Sequence, residues 1–450
     1  MITATANSKR PNLREQLLNG DKVIGIWGLG FIGYSSMTNF ALAGVRCKGT
    51  DIDKHKVDCV NTGNVPVPNI EYWLGFDPKI LHTAKTMYAT TDWAELIGAD
   101  VAVHLICIPT EKGDKPHLDI LQDVITKLAQ HKDTRTTPLI IIESTLTPNT
   151  TDSLVIPLLE KEGLQVGQDI LVGVAPRRDW FVSAEKSLKT LPRVVGGTTP
   201  ETTEMMREVL GIVCDTVLPA KDHRHAELIK GIENAYRHVE ITLANQLSAA
   251  YPDVDMRDVL RLVGTKWNIG HYSPSFGTGG YCIPLSSQYI LAGTDNPSAL
   301  SILQAAVDTD RGIPAKVADA VVAGGAKRVG ILGLAYKGDL KVHTLSPTLR
   351  IVERLKGRVD MVKVNDPYYS ADEIERICRV ESFIFPQGMT EFDTILLVSD
   401  HRLYTSVNHS KILSCLPNCR RILDNTGVWQ GIDFASRNIA YRLAGRENWL

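Results

Sequence analysis

Two stretches of this chain open alike: VIGIWGLGFIG at Val23 to Gly33, and RVGILGLAYKG at Arg328 to Gly338. Each is a short apolar run that breaks into glycine. An apolar run without alternation is buried on both faces, as a parallel strand covered by helices is. Strand-like runs follow the first at 45–53 (VRCKGTDID), 101–109 (VAVHLICIP), 139–145 (LIIIEST), 170–176 (ILVGVAP) and 193–197 (RVVGG), with helix-compatible segments between most of them. The alternation returns after the second, at 361–367, 394–400 and 421–427. This pattern predicts two doubly wound α/β domains with parallel sheets.

Between them lies HAELIKGIENAYRHVEITLANQLSAAY, where Ile229, Ile232, Tyr236, Val239, Leu243 and Leu247 recur at intervals of three and four. That spacing predicts one amphipathic helix of roughly seven turns. The expected organisation is an N-terminal extension (1–22), a first α/β domain (23–220), a helical middle (221–316) and a second α/β domain (317–450). A chain of 450 residues is too long for one ordinary core, which agrees with several domains. Its net charge of −2 provides no field favouring nucleic acid or an anionic membrane. The first twenty residues lack a signal-peptide core, and no apolar run of about 18 residues follows. Eight cysteines without paired spacing predict a reduced, cytoplasmic protein without a structural metal.

Gly28-Leu29-Gly30-Phe31-Ile32-Gly33 fits GxGxxG between a strand-like and a helix-like run. The first glycine permits the turn, the second admits a pyrophosphate and the third allows helix–strand packing. N–H groups of the following turn, at Phe31 and Ile32, would face the phosphates. Asp51 closes the next strand-like run about 20 residues on, where a carboxylate meets an adenosine ribose hydroxyl and repels a 2′-phosphate. The reading is a Rossmann-like site for NAD; the plainer alternative is a glycine turn and a surface aspartate in a domain that binds nothing.

Lys230 and Asn234 lie four residues apart and share a helix face. They suit a developing oxyanion, though spacing alone equally describes a solvated face. Cys282 lies in SFGTGGYCIPLSS (275–287), a stretch with neither helical nor strand period.

SFGTGGYCIP resembles the active-site loop of the nucleotide-sugar 6-dehydrogenases, the UDP-glucose/GDP-mannose dehydrogenase family. LIKGIENAYRHVEITLANQL is similar to that family's central helix, IIESTLTPNTT to its Ser-Thr segment beside the nicotinamide, and GLAYKG to the start of its third domain. The likeness runs in order from about residue 23 to 430. It implies an NAD-dependent, four-electron oxidation of a sugar CH2OH to a carboxylate through a thiohemiacetal and thioester on Cys282, with Lys230, Asn234 and Thr145 assisting. The implied cofactor set adds Pro109, Thr110, Ser144 and Thr145 to the first loop and Asp51. The implied contacts to a nucleotide sugar, expected to be UDP-linked, are Arg177, Lys230, Asn234, Tyr272, Ser275, Gly277, Gly279, Gly280, Tyr336 and Lys337. Lys337 and the N–H groups of GLAYKG would hold the diphosphate. The long helix implies a homodimer or larger homo-oligomer.

Several family positions differ. Pro-Lys-Asp after the cysteine reads Pro284-Leu285-Ser286, which removes a carboxylate beside the thiol. Ser-Pro-Glu reads Ala175-Pro176-Arg177, and a second glutamate aligns with Phe181. Arg177 is therefore expected either to meet an anionic group of the substrate or to pair with Asp179 or Glu185. With Ser286 in place of the carboxylate, Glu143 is one candidate to activate water. Three readings remain in play: an enzyme that stops after one hydride transfer or acts redox-neutrally, a catalytically degenerate nucleotide-sugar-binding protein, and a hydroxyacid dehydrogenase that does not need the cysteine loop.

Overall fold

The computed structural model describes residues 12–70, 74–82, 85–113, 115–133, 135–179 and 186–450. Phe181 and Glu185 lie outside them. The chain forms two compact units that divide between Gly231 and Ile232.

In the first unit the strands are β1 (Val23–Trp27), β2 (Cys47–Thr50), β3 (Met87–Thr90), β4 (Val101–Ile106), β5 (Glu111–Lys112), β6 (Lys115–Pro116), β7 (Leu139–Ile142), β8 (Leu171–Val174), β9 (Arg193–Gly197) and β10 (Val217–Pro219). Eight of them make one sheet in the order β10-β9-β8-β7-β4-β1-β2-β3, while β5 and β6 form a separate two-stranded piece. Every neighbour in the large sheet is parallel except β8 and β9. β1, β7 and β8 are buried along their whole length, as continuous apolar runs between two helix layers must be.

The second unit carries β11 (Arg328–Leu332), β12 (Met361–Asn365), β13 (Thr394–Leu397), β14 (Arg421–Asp424) and β15 (Ala440–Leu443), all parallel, in the order β12-β11-β13-β14-β15. Helices Ile283–Ala292 and Ser301–Ala323 pack against each other in the same unit. Both sheets are the doubly wound kind that the glycine-broken strands predict. β3, β10 and β15 are additions that the apolar pattern did not mark, each being short and at or near a sheet edge.

The long helix runs from His223 to Ala250. Its burial reverses the amphipathic expectation. Ile232, Tyr236 and Leu243 are 41%, 71% and 50% exposed, whereas Asn234, His238, Thr242, Asn245 and Ser248 are buried. The buried residues also recur at three and four, and most of them hydrogen-bond to neighbouring segments of the second unit. Direct bonds let a polar stripe lie inside and leave the Ile232, Tyr236 and Leu243 part of the apolar stripe uncovered in the single chain, with Ile229, Val239 and Leu247 half-buried.

Candidate active site

In the first unit the chain turns at the carboxyl edge of β1. Gly28 does so at φ +91°, and a Cβ there would meet the Cys107 carbonyl oxygen at 2.6 Å. A Cβ on Gly33 would run into the Gly28 carbonyl, while one on Gly30 would meet nothing within 4 Å. Gly30 therefore faces open space at the start of the helix Phe31–Leu42. The N–H groups of Gly30, Ile32 and Gly33 have no acceptor among the described residues. β1 lies between β2 and β4, so the turn sits where the strand order reverses. Open backbone, free N–H groups and a switch point are what a dinucleotide pyrophosphate requires, and the residues fit NAD.

Asp51 lies beside this turn. Its Oδ2 accepts from Leu29 N–H at 2.8 Å and from Lys56 Nζ at 3.2 Å, and its Oδ1 accepts from Asp53 N–H at 2.9 Å. Three of about four lone-pair sites are filled, leaving room for one ribose hydroxyl. Ser144 Oγ donates to the Ile108 carbonyl at 2.7 Å, and Thr110 Oγ1 donates to the Thr145 carbonyl at 2.7 Å. These bonds tie the segments after β4 and β7 together, with Pro109 exposed between them. The Thr145 hydroxyl has no partner among the described residues. Buried Glu227, in the first turns of the long helix, accepts from Asn149 N–H and Thr151 N–H, both at 2.8 Å. Lys230 follows it by three residues and is half-buried.

Arg177 is 4% exposed, and all five of its guanidinium N–H groups are engaged inside the unit. Nε and Nη2 grip Asp179 at 2.7 and 2.6 Å; Nη1 reaches Ser36 Oγ at 2.7 Å and the Ile32 carbonyl at 3.4 Å; Nη2 also reaches Ser35 Oγ at 3.1 Å. Of the two fates expected for this arginine, the geometry has the internal pair with Asp179. Glu143 lies in the same cluster. It takes Arg193 Nη2 at 2.6 Å, Ser36 Oγ at 2.6 Å and the Cys107 thiol at 3.3 Å. A carboxylate so enclosed is not poised to activate water. Burial, and then the charge of Glu143, push the Cys107 thiol well up.

In the second unit the cysteine loop is held by its backbone. Ser275 N–H donates to Asn245 Oδ1 at 2.7 Å, Phe276 N–H to Asn425 Oδ1 at 2.7 Å, Thr278 N–H to Asp310 Oδ1 at 3.0 Å, and Gly280 N–H to the Thr344 carbonyl at 2.7 Å. The Phe276 ring stacks on Trp449 with centroids 5.9 Å apart. Gly277 and Gly280 adopt φ +111° and +84°, and Cβ atoms on Gly279 and Gly280 would meet Tyr336 at 2.5 Å. The loop needs these glycines for conformation and for contact. It delivers half-buried Cys282 to the N-cap of the helix Ile283–Ala292.

Around the thiol stand Tyr336 and Lys337. Burial raises the Tyr336 phenol, and the negative charge of Cys282 adds to the rise. Burial lowers the Lys337 ammonium; Asp400 and Cys282 oppose the change, and Arg237 reinforces it. Tyr272 is raised by burial and by Glu240, with Arg237 opposing. Arg237 thus reaches the field of three candidate residues and was missed in the sequence. The available signal was its spacing, three residues past Asn234 on the same face. Asn234 is buried and donates from Nδ2 to Ser286 Oγ at 2.8 Å, which leaves one amide N–H for another acceptor. Leu285, at the family's lysine position, is core.

The second glycine turn is built differently from the first. Leu334 and Ala335 N–H both donate to Asp366 Oδ2 at 2.9 Å, Gly338 N–H to Asp400 Oδ1 at 2.8 Å, and Asp339 N–H to His401 Nδ1 at 2.9 Å. The N–H groups of Gly333 to Tyr336 and of Gly338, expected to face a diphosphate, are turned inward, a correction to the sequence reading. The Lys337 ammonium remains the group of this turn suited to an anion.

Models of one family match the chain in order. The NAD binding domain of the UDP-glucose/GDP-mannose dehydrogenase family matches residues 22–212, the central domain 224–311, and the UDP binding domain 330–431. A UDP-N-acetyl-D-mannosamine dehydrogenase of Pyrococcus horikoshii is 28% identical over 86% of this chain and 92% of its own length. A GDP-mannose 6-dehydrogenase of Pseudomonas syringae is 27% identical over 90% of this chain and 96% of its own length. The solved structure of the Pyrococcus horikoshii UDP-D-ManNAc dehydrogenase matches with a TM-score of 0.81 at 26% identity, covering 95% of this chain and 100% of that one. No helix among the described residues is long and apolar enough to cross a membrane.

Proposed function

We propose, on the premise that this chain belongs to the UDP-glucose/GDP-mannose dehydrogenase family, that it oxidises the CH2OH of a UDP-linked hexose to a carboxylate through a covalent intermediate on Cys282. The chain is an NAD-dependent oxidoreductase acting on the CH–OH group of a nucleotide sugar. The UDP-linked substrate is supported by the UDP binding domain match and by the UDP-linked relative. The single observation that carries the covalent route is the loop around Cys282, anchored at four backbone N–H groups and closed by glycines against Tyr336.

NAD, when bound, supplies the hydride acceptor for each oxidation. The thiolate of Cys282 adds to the aldehyde carbonyl, and the Lys230 ammonium with the remaining Asn234 N–H donates to the oxyanion. After the second oxidation the sulfur holds a thioester, and water releases the carboxylate and the thiol. The Thr145 hydroxyl is assigned to positioning at the nicotinamide end of the cofactor, with Ser144 fixing its segment. On the substrate side we assign Tyr272, Ser275, Gly277, Gly279, Gly280, Tyr336 and Lys337. Arg177 is assigned to holding the helix Phe31–Leu42 rather than to the sugar. The three-part division at 23–220, 221–316 and 317–450 is retained as the functional organisation.

Hydrolysis is the exposed step, because Ser286 stands where resembling enzymes carry a carboxylate and Glu143 is enclosed. That favours a second reading in which oxidation halts after one hydride transfer. Counting NADH per UDP-sugar consumed separates them: two supports the acid, one or none the second reading. Intact mass under turnover should also reveal an acyl adduct on Cys282 if water attack is slow.

The uncovered stripe of Ile232, Tyr236 and Leu243 is assigned to a second copy of the chain, since a self-complementary apolar face closes as a two-fold dimer. A Tyr236→Asp variant should sediment as a smaller species than the wild type. A wild type that already sediments as a single chain at micromolar concentration would rule this out.

A further inference from the structure

We propose that Arg257 is a positioning residue that fastens the entry of the Cys282 loop to the chain segment following β15. The inference rests on the reading of Cys282 as the nucleophile. Arg257 is half-buried in the first turn of the helix Met256–Val263. Its acceptors are main-chain carbonyls from three separate segments. Nε donates to Ala444, directly after β15. Nη2 donates to Asn425, directly after β14, at 2.7 Å and to Pro274, at the entry of the loop, at 3.4 Å. A compact ammonium could not span that set, whereas the planar guanidinium fork does. Burial lowers the Arg257 guanidinium, with the charge of Asp424 opposing.

Two of these segments hold the loop by a second route as well. Asn425 Oδ1 accepts from Phe276 N–H at 2.7 Å while its Nδ2 donates to the Val398 carbonyl at 3.0 Å, so both ends of the amide are fixed. After β15, the Gly445 carbonyl accepts from the N–H groups of Met256 and Arg257 at 2.8 and 3.3 Å. Gly445 turns at φ +86°, and a Cβ there would meet buried Pro274 at 2.7 Å. Four residues on, the Trp449 ring lies 6° from parallel with Phe276, and its Nε1 donates to Ser248 Oγ at 2.9 Å. Between Phe276 and Cys282 the chain passes through Gly277, Gly279 and Gly280, which have no side chain to hold and turn most freely. The direction in which the thiol is delivered is therefore set by how firmly the entry and the later anchors at Thr278 and Gly280 are held.

Without the guanidinium the entry should slacken, which exposes the thiol and spoils its aim. The test is iodoacetamide alkylation of the full-length protein at one pH, followed by peptide mass at each of the eight free cysteines. Arg257→Ala should raise the Cys282 rate by about threefold or more. Cys378 and Cys419, buried in the same unit, should react as in the wild type. Turnover of a UDP-hexose with NAD should fall by about tenfold in kcat, with KM for NAD unchanged. A faster thiol in a slower enzyme marks misplacement, whereas a loosened fold would expose Cys378 and Cys419 too. Arg257→Lys keeps the charge but reaches one carbonyl at a time, and should move both readings in the same directions by less. Should Arg257→Ala fail to fold, Arg257→Lys decides in the same way. An unchanged Cys282 rate, a rise shared by Cys378 and Cys419, or turnover equal to the wild type overturns the proposal. Its failure is distinguishable from failure of the covalent mechanism: full turnover by Cys282→Ala would remove the mechanism and leave the alkylation result standing.

Discussion

Cys282→Ala is expected to lower turnover by about 10³-fold or more while NAD binding stays as in the wild type. The separation follows from where the groups lie. The glycine turn Gly28–Gly33, proposed to hold the cofactor, belongs to the first unit and the Cys282 loop to the second, with that loop held by Asn245, Asn425, Asp310 and Thr344 rather than by the sulfur. Removing one sulfur atom deletes the proposed nucleophile without releasing any of those bonds. Steady-state turnover and NADH fluorescence titration on the same preparation check both halves. Retained turnover would shift the assignment to a hydroxyacid dehydrogenase that uses only the glycine turn and the Lys230–Asn234 face. Lost turnover together with lost NAD binding would mean that the substitution damaged the fold.

The second large effect is on stability. Arg177→Ala should destabilise the first unit by about 3–5 kcal/mol, because it strands Asp179 and weakens the surroundings of Glu143 while both stay buried. The helix Phe31–Leu42 loses its ties at Ile32, Ser35 and Ser36 in the same change. Restoring the carboxylate of resembling enzymes, Arg177→Glu, should be worse, since it places a third carboxylate in the cluster. Urea unfolding followed through first-unit fluorescence measures the difference. The effect has a pH signature. Burial alone would raise Asp179, but Arg177's charge and hydrogen bonds outweigh it and hold the carboxyl below its ordinary value. A lowered folded-state pKa contributes stability above the ordinary carboxylate range and loses it as pH falls through the folded value. The gap between wild type and variant should therefore shrink in acid. A gap that does not change with pH would mean that Arg177 acts through packing alone.

Both predictions turn on residues whose types were visible in the chain and whose partners were not. The sequence by itself determined the two parallel sheets, because a continuous apolar run ending in glycine can be buried on both faces only between helices. It determined the strand-end position of the first turn, since Gly28 and Gly33 meet two separate steric demands that other residues fail, while Gly30 leaves open space where a phosphate would come. It also marked Cys282 by placing glycines in a loop with no period of its own. Tertiary structure alone decided which face of the long helix is inside. Periodicity reports that a stripe exists, but the choice between the stripe of Ile232 and that of Asn234 depends on hydrogen-bond partners brought from Ser286, Ser287 and Ser275. The pairing of Arg177 with Asp179 and the inward turn of the N–H groups after β11 were likewise decided in three dimensions. A charge or a backbone donor has no fixed role until another segment supplies, or withholds, the group that satisfies it.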